Sequence, residues 1–273
     1  MAKLLATIQG WQDRASAISP PPPLERATGR LRGRAFFPHG VGLELDDKGK
    51  EPAWWPDILV LGHNFGKRSY YEDIRRNPRE SEDKEPTWRN LALLLRDIKH
   101  PGSGMDLIRH CFMTNWYIGF GPTQRGSFFE PCKPPCALPS DCIRCRYAND
   151  CLDLLRAQIR ALAPRVILVL GQAVIVRAHL LAPDNIALRR WRDIKGVFRD
   201  VDAGGPVAFD VEIPECGEKT NIVALTHPCE PISLAYRGNP HHGRPQGSEF
   251  HRRREIGKAF EIGIIKQSLL GLS

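Results

Sequence analysis

Four short apolar segments recur along the chain and predict buried β-strands. Each has strand length and is rich in Val, Ile and Leu without clean alternation, a pattern typical of strands covered on both faces. The stretch 207–213 (VAFDVEI) is a further candidate for a strand or hairpin. The four segments are DILVLG at 57–62, HCFMTNWY at 110–117, RVILVLG at 165–171 and NIVALTHP at 221–228.

Helical patterns alternate with these segments. They cover residues 1–18, 87–98, 151–164 and 249–270, and Pro164 stops the third of them. Alternating strands and helices predict an α/β fold: a three-layer α/β/α sandwich around a central, mostly parallel, four-stranded sheet. We expect two parts. Residues 1–50 form an N-terminal helix and a Pro-rich spacer that pack on the core, and residues 51–273 form the main domain.

Polar residues follow three of the predicted strands directly. His63-Asn64 follows the first, Asn115 ends the second, and Thr226-His227 ends the fourth. In an open parallel sheet, ligands bind in the crevice at the carboxyl ends of the strands. Such residues often merely turn the chain, but three of them at three strand ends predict one crevice that contains Asn64, Asn115 and His227.

Amides and an imidazole limit the chemistry of that crevice. The strand ends carry no Ser or Cys nucleophile beside a base, no carboxylate pair and no phosphate-binding loop, which argues against acyl transfer, two-carboxylate glycosidases and P-loop enzymes. An Asn side chain offers one acceptor and two donors, and can match the edge of a pyrimidine base. A pre-organised imidazole donor can stabilise a departing base by roughly 3–4 kcal/mol in the transition state.

The charge of the chain indicates a binding partner, and its hydropathy indicates a cellular compartment. The formal net charge is +8 and the pI is about 9.2, which favours a polyanion such as DNA. The sequence has no apolar run of about 18 residues that would span a membrane. The N-terminus reads as an amphipathic helix and not as a signal peptide. We therefore expect a cytoplasmic or nucleoid-associated protein.

Five of the eight cysteines lie within 20 residues, at spacings C-x3-C-x5-C-x2-C-x5-C. In a reducing compartment such a cluster more often holds a metal than disulfides. Four of the five would bind a structural [4Fe–4S] cluster or a zinc ion in a loop at 132–151. Free thiols in a Pro-rich loop are the alternative. The five are Cys132, Cys136, Cys142, Cys145 and Cys151.

Three motifs resemble the uracil-DNA glycosylase superfamily, in the family's order over about residues 55–245. GHNFG at 62–66 is similar to the family's G-x-N-P-G motif, and Thr114-Asn115 is similar to its base-reading strand end. HPCEPISLAYRG at 227–238 resembles the H-P-S-P-L-S-x-Y-R-G segment, with two extra residues. The helix and strand from Cys151 to Gly171 resemble those of the iron–sulfur-bearing branches.

The resemblance implies a monofunctional DNA glycosylase, which flips a base from DNA and hydrolyses its N-glycosidic bond. Asn64 would be the catalytic amide, His227 would stabilise the leaving base, and Asn115 would read its edge. Ile232 would be the wedge that fills the gap in the duplex. His63, Phe65 and either Tyr70 or Tyr71 would line the base pocket. The DNA-binding residues would be Ser233, Arg237, His241, His242 and Arg244.

Departures from the family pattern bear on the substrate. Phe65 replaces the Pro of G-x-N-P-G, Lys67 stands where the most active uracil branch has Tyr, and residues 67–86 form a long charged segment. These changes leave open a bulky modified pyrimidine, such as those of bacteriophage DNA, in place of uracil. The alternative functions are a non-catalytic DNA-binding module with a metal-braced loop and, less favoured, a nuclease. We expect a monomer whose metal is not needed for the chemistry.

Overall fold

The computed structural model describes residues 2–25, 55–63, 86–121, 142–191, 205–214, 216–228 and 247–270. Five strands form one sheet: β1 (Ile58–Gly62), β2 (Cys111–Asn115), β3 (Val166–Leu170), β4 (Val207–Glu212) and β5 (Lys219–Leu225). Their order across the sheet is β2-β1-β3-β5-β4. The first four in that order are parallel, and β4 pairs antiparallel with β5.

The helices lie on both faces of this sheet. They are α1 (Ala2–Ala17), α2 (Pro86–Arg96), α3 (Ile143–Leu162), the short α4 (Gln172–Ile175) and α5 (Ile186–Arg190), and α6 (Gly247–Leu269). Single 3-10 turns occupy Leu107–His110 and Ala178–Leu180. None of the described helices is both long and apolar enough to span a lipid bilayer.

Alternate residues of each strand enter two separate cores, as the two-residue period of a strand requires. Leu59, Leu61 and Ile167 pack with α1, α3, α4 and α5 on one face. Ile58, Val60 and Leu168 pack with α2 and α6 on the other. Both faces of the parallel strands are therefore covered, and the predicted three-layer α/β/α fold is confirmed.

The predicted sheet of four strands is wrong by one, because VAFDVE forms an antiparallel edge strand. Its paired register shifts between Ala208 and Val211, and Phe209 and Asp210 are exposed. A bulged edge strand loses the regular alternation that marks a strand in a sequence. The start of α3 also differs from the prediction of 151, since the helix begins at Ile143. Residues 143–151, which we expected to belong to a metal-binding loop, are helical.

The N-terminal helix belongs to the core. Ile8, Trp11 and Ala15 are buried with the strands, as expected for side chains that recur every three to four residues on one helical face. The Trp11 ring meets Phe112 of β2 edge to face, with ring centroids 5.3 Å apart. After α1, residue 25 pairs with residue 120 through two backbone hydrogen bonds. The first 25 residues therefore pack against the sheet domain.

A pair of tryptophan substitutions tests this packing. Trp11 is 4% exposed and Trp55 is 37% exposed. We expect Trp11→Ala to lower the free energy of unfolding by about 3–5 kcal/mol, since it empties a filled core site. Trp55→Ala should cost much less. Denaturant unfolding of both variants is the measurement, and equal losses would contradict the burial of α1.

Candidate active site

The carboxyl edge of the sheet collects the polar strand ends. Gly62 of β1 is in register with Asn115 of β2, and Leu170 of β3 is in register with Leu225 of β5. Beyond the ladder, Trp116 N–H donates to the Gly62 carbonyl at 2.8 Å and the residue 117 N–H donates to the residue 63 carbonyl at 2.9 Å. The backbone at this edge is therefore fixed one or two residues past each strand.

The Asn115 side chain occupies the space over the end of β1. A Cβ at Gly62 would lie 2.5 Å from Asn115 Oδ1, closer than real Cβ atoms approach another heavy atom. Asn115 is 1% exposed, yet neither its Oδ1 nor its Nδ2 has a hydrogen-bond partner among the residues that the structure describes. Buried amides are nearly always hydrogen-bonded. This carboxamide therefore presents an unused acceptor and two unused donors at the edge of the sheet.

The His227 side chain lies over the neighbouring strand end. A Cβ at Gly171 would meet His227 Cβ and Cδ2 at 3.1 Å, and Gly171 has φ of 77°, a conformation that favours glycine. Asn115 thus leans over the end of β1 and His227 over the end of β3. The strands β1 and β3 are adjacent in the sheet.

The backbone on both sides of His227 is anchored to helices. Thr226 donates its N–H and its hydroxyl to Glu261 Oε1 of α6, at 2.7 and 2.8 Å. Asn90 of α2 donates its side-chain N–H to the Pro228 carbonyl at 2.8 Å. Glu261 is 2% exposed, so this carboxylate acceptor is shielded from water. The anchors leave His227 little backbone freedom.

A small cavity adjoins these anchors, between α2 and α6. Its volume is about 110 Å³. Leu170 and Leu225 from the strand ends form its apolar wall, and Arg254 and Lys258 of α6 contribute cationic groups. It opens beside Thr226 and Pro228, the neighbours of His227. Glu255 and Glu261 also line the cavity, so it has an apolar wall and a margin that carries both charges.

His63 lies at the same edge, half-buried against an aromatic cluster. Its ring meets Tyr117 edge to face, with centroids 5.4 Å apart. Arg177 Nε donates to the Tyr117 hydroxyl at 3.2 Å, and the guanidinium carbon lies 5.6 Å from the ring centroid. These contacts hold Tyr117, and through it His63, at the carboxyl edge of the sheet.

Of the sequence-predicted site residues, His63, Asn115 and His227 lie at or just beyond the carboxyl ends of β1, β2 and β5. The other predicted catalytic, base-binding and DNA-binding residues lie outside the described residues. They are Asn64, Phe65, Tyr70, Tyr71, Ile232, Ser233, Arg237, His241, His242 and Arg244.

The cysteine prediction is only partly within the described chain, since Cys132 and Cys136 lie outside it. Cys142 precedes α3, and Cys145 and Cys151 are buried on that helix. Cys151 Sγ accepts the Ile118 N–H at 3.5 Å, and burial raises its pKa to about 12. The Sγ atoms of the three described cysteines do not all lie within 4.8 Å of one another, so at least one separation is wider than the spacing of thiolates on a single zinc ion.

A different cluster lies at the opposite, amino edge of the sheet. Asp57 directly precedes β1, His110 directly precedes β2, and His100 joins them from the preceding loop. One ligand atom from each of the three lies within 4.8 Å of the others, so this group could hold a metal ion. Burial would raise the pKa of Asp57, but the neighbouring imidazoles of His110 and His100 outweigh burial and lower it.

Sequence reasoning missed this cluster. Asp57 and His110 each stand immediately before a predicted strand. The first residues of neighbouring parallel strands meet at one edge of a sheet, just as the last residues meet at the other edge. The positions of Asp57 and His110 before two predicted strands could therefore have placed them together. No spacing in the sequence indicates that His100 joins them.

Comparison of the sequence with known protein families and with characterised proteins finds no match. The likeness to the uracil-DNA glycosylase superfamily therefore rests on the three motifs alone.

A glycine substitution tests whether Asn115 depends on the space at position 62. Gly62→Ala should displace the Asn115 side chain and destabilise the fold by about 1–3 kcal/mol, the usual cost of overpacking. Gly263 on α6 is the matched control, because a Cβ there meets nothing within 4 Å. Gly263→Ala should be neutral or stabilising, since Ala is the better helix former. Thermal unfolding of both variants checks this, and a neutral Gly62→Ala would contradict the contact.

Proposed function

We propose that this chain is a monofunctional DNA glycosylase, which flips a pyrimidine-type base out of DNA and hydrolyses its N-glycosidic bond. The observation that carries the proposal is the buried carboxamide of Asn115 at the carboxyl edge of a parallel sheet. Leaving a buried polar group without a partner costs about 1–3 kcal/mol. A ligand with a complementary donor and acceptor edge would remove that cost, and a pyrimidine has such an edge.

His227 supplies the second half of the argument. Its backbone is held by Glu261 through Thr226 and by Asn90 through Pro228, so its ring is positioned before any ligand arrives. Hydrolysis breaks the bond between C1′ of the sugar and the base nitrogen, and the electron pair leaves with the base. An imidazole donor beside the base oxygen stabilises that developing anion. The oxygen of a water molecule bonds to C1′ and that water loses a proton, while the departing base anion takes up a proton. The products are the free base and an abasic site.

The remaining roles follow the motif resemblance. Asn64, which directly follows His63, would orient the water. Ile232 would occupy the place of the flipped base in the duplex, and Arg237 would contact a phosphate. His63 and Phe65 would border the base.

Basic residues at the crevice margin support DNA as the partner. Glu261 of α6 contacts Thr226 at the carboxyl edge of the sheet, while Ser268, near the other end of α6, accepts a hydrogen bond from Asn221 near the start of β5. The first turns of α6 therefore extend past the carboxyl edge. They carry exposed Arg252 and half-buried Arg254, whereas Lys258 forms an ion pair with Asp97. Cations at this margin match a phosphate backbone.

The excised base is proposed to be uracil or a larger modified pyrimidine. The bulk of Phe65 and the charged segment 67–86 distinguish this chain from the uracil-removing branches, and favour the larger base. A modified base of that kind would make the enzyme one of defence against phage DNA, whereas uracil would make it one of repair.

We further propose a structural metal centre on Cys142, Cys145 and Cys151, completed by Cys132 or Cys136. The cysteine ligands must lose their protons to bind the metal. Because burial raises the pKa of Cys151 to about 12, this thiol keeps its proton until a metal binds. Elemental analysis identifies the centre: iron with sulfide indicates a [4Fe–4S] cluster, and stoichiometric zinc indicates a zinc site. Protein with neither metal and five reactive thiols would rule out the centre.

An excision assay tests the activity. Purified protein is incubated with duplex and single-stranded DNA that contains uracil or a modified pyrimidine. We expect abasic sites, revealed as strand breaks only after alkali. Strand breaks without alkali would indicate a nuclease, and binding without either product would indicate a non-catalytic DNA-binding module.

Two substitutions test the separate roles proposed for His227 and Asn115. His227→Ala should lower the single-turnover rate by about 10²–10³-fold with little effect on DNA binding, because its hydrogen bond forms mainly in the transition state. Asn115→Asp should change which base is excised, since it replaces the amide's donors.

Matched controls are available outside the crevice. His179 hydrogen-bonds the Val176 carbonyl, and Asn185 caps α5 through Oδ1. His179→Ala and Asn185→Asp should leave rate and substrate choice unchanged, since Asp caps a helix as well as Asn does. A wild-type rate for His227→Ala together with unchanged base choice for Asn115→Asp would refute this mechanism.

A further inference from the structure

The Asp57, His100 and His110 cluster lies at the edge of the sheet opposite the crevice, and the proposed glycosylase chemistry does not use it. Ile58 and Cys111, the residues that follow Asp57 and His110, are register partners in the parallel ladder. The side chains of His100 and His110 are 7% and 5% exposed, whereas that of Asp57 is 23% exposed. Two buried imidazoles thus flank a carboxylate that solvent reaches.

The hydrogen bonds of His100 fix its tautomer. Its Nδ1 accepts the N–H groups of Gly102 and Ser103, at 3.2 and 3.3 Å. A neutral imidazole that accepts at Nδ1 carries its proton on Nε2. That Nε2 lies 2.9 Å from Asp57 Oδ2, so His100 donates to this oxygen. His100 therefore orients the carboxylate and has no lone pair on Nε2 to give to a metal.

The other carboxylate oxygen faces His110. Asp57 Oδ1 and His110 Nδ1 are 3.5 Å apart, and Oδ1 is buried with no hydrogen-bond partner among the described residues. A hydrogen bond would draw the atoms to about 2.9 Å. Two ligand atoms on one tetrahedral zinc, each about 2.0–2.1 Å from the ion, lie about 3.3 Å apart. The observed spacing is close to that expected of two ligands on one zinc ion.

The far side of His110 is arranged as the outer shell of a metal site. His110 Nε2 lies 2.7 Å from Ser103 Oγ, which also accepts the Met105 N–H at 3.3 Å. When Nε2–H donates to Ser103 Oγ, the lone pair of Nδ1 faces Asp57. Metal-bound histidines typically donate their second N–H to such an acceptor.

Ring stacking determines which histidine can be a ligand. The His100 and His110 rings are parallel within 4°, with centroids 3.7 Å apart. An imidazole binds a metal along a lone pair in its ring plane, and one ion cannot lie in two parallel planes. His110 and His100 therefore cannot both bind the same ion in this arrangement. The tautomer of His100 selects His110.

We propose that Asp57 Oδ1 and His110 Nδ1 bind a divalent zinc-class ion at the amino edge of the sheet, with His100 as the positioning residue that holds the carboxylate. One carboxylate and one imidazole suit zinc, cobalt or nickel better than calcium or magnesium, which prefer oxygen ligands. The Asp57 side chain is 23% exposed, so the remaining ligands would be water molecules that reach the ion past this side chain. The ion links the start of β1 to the start of β2.

Zinc titration of chelator-treated, ¹⁵N-histidine-labelled full-length protein tests this assignment. We expect the ¹⁵N resonance of His110 Nδ1 to shift as zinc is added, while His100 keeps its proton on Nε2. A cysteine-bound zinc elsewhere in the chain moves neither signal. An unchanged His110 resonance at saturating zinc would overturn the proposal, and loss of the His100 Nε2 proton would overturn its role as a positioning residue.

Substitutions give an independent measurement of the same site. Asp57→Asn and His110→Gln should each weaken this zinc-binding event at least about tenfold, and His100→Gln should weaken it by about 10–100-fold through the carboxylate it orients. His179→Gln is the matched control and should leave the Kd unchanged. Calorimetry resolves this event from binding at the cysteines, because only this event responds to the substitutions. Equal Kd values for wild type and His110→Gln would contradict the site.

Discussion

Burial of four parallel strands on both faces is the constraint on which the arrangement of this protein depends. Leu59 and Ile58, neighbours in β1, enter different cores, so the middle of each strand has no exposed surface for ionisable groups. Charged and amide side chains are therefore placed where the strands begin and end. The Asp57 cluster occupies the first of these positions, and Asn115 and His227 occupy the second.

The two edges differ in how their polar atoms are satisfied. At the amino edge, one oxygen of Asp57 has a short partner in His100, and the other faces His110 across a wider gap. At the carboxyl edge, the backbone around His227 is fully anchored, while the amide of Asn115 has no described partner. Each edge thus combines a rigid support with one incompletely used group, and the proposed ligands at the two edges are correspondingly different. A five-residue strand separates the two edges by about 16 Å.

The sequence predicted the parts of the fold that depend on continuous patterns. Runs such as VILVL in β3 are too apolar and too short for a surface element, and they indicated buried strands. The edge strand β4 was harder to predict because Phe209 and Asp210 fall at its bulge. The start of α3 was missed because IRCRYAND has few apolar residues, and the cysteines suggested a loop.

The positions of Asn115 and His227 at the ends of two predicted strands placed both residues at one edge of the sheet. They could not show that Asn115 leans over Gly62, since that depends on a side-chain direction across two strands. His100 is far from Asp57 in sequence and joins it only through tertiary structure.

The contact between Asn115 and Gly62 has an entropic consequence. A surface asparagine that hydrogen-bonds a ligand must be immobilised when the ligand binds. The free-energy cost is about 0.5–1.5 kcal/mol for a rotamer-rich side chain. The Asn115 amide lies over Gly62 with 1% of its surface exposed, so folding has already selected its rotamer. The crevice is therefore preorganised at this residue. The free energy of ligand recognition there need not be spent on ordering the group that recognises it. In the proposed glycosylase, discrimination between bases would therefore rest on hydrogen-bond complementarity to an amide that is already fixed.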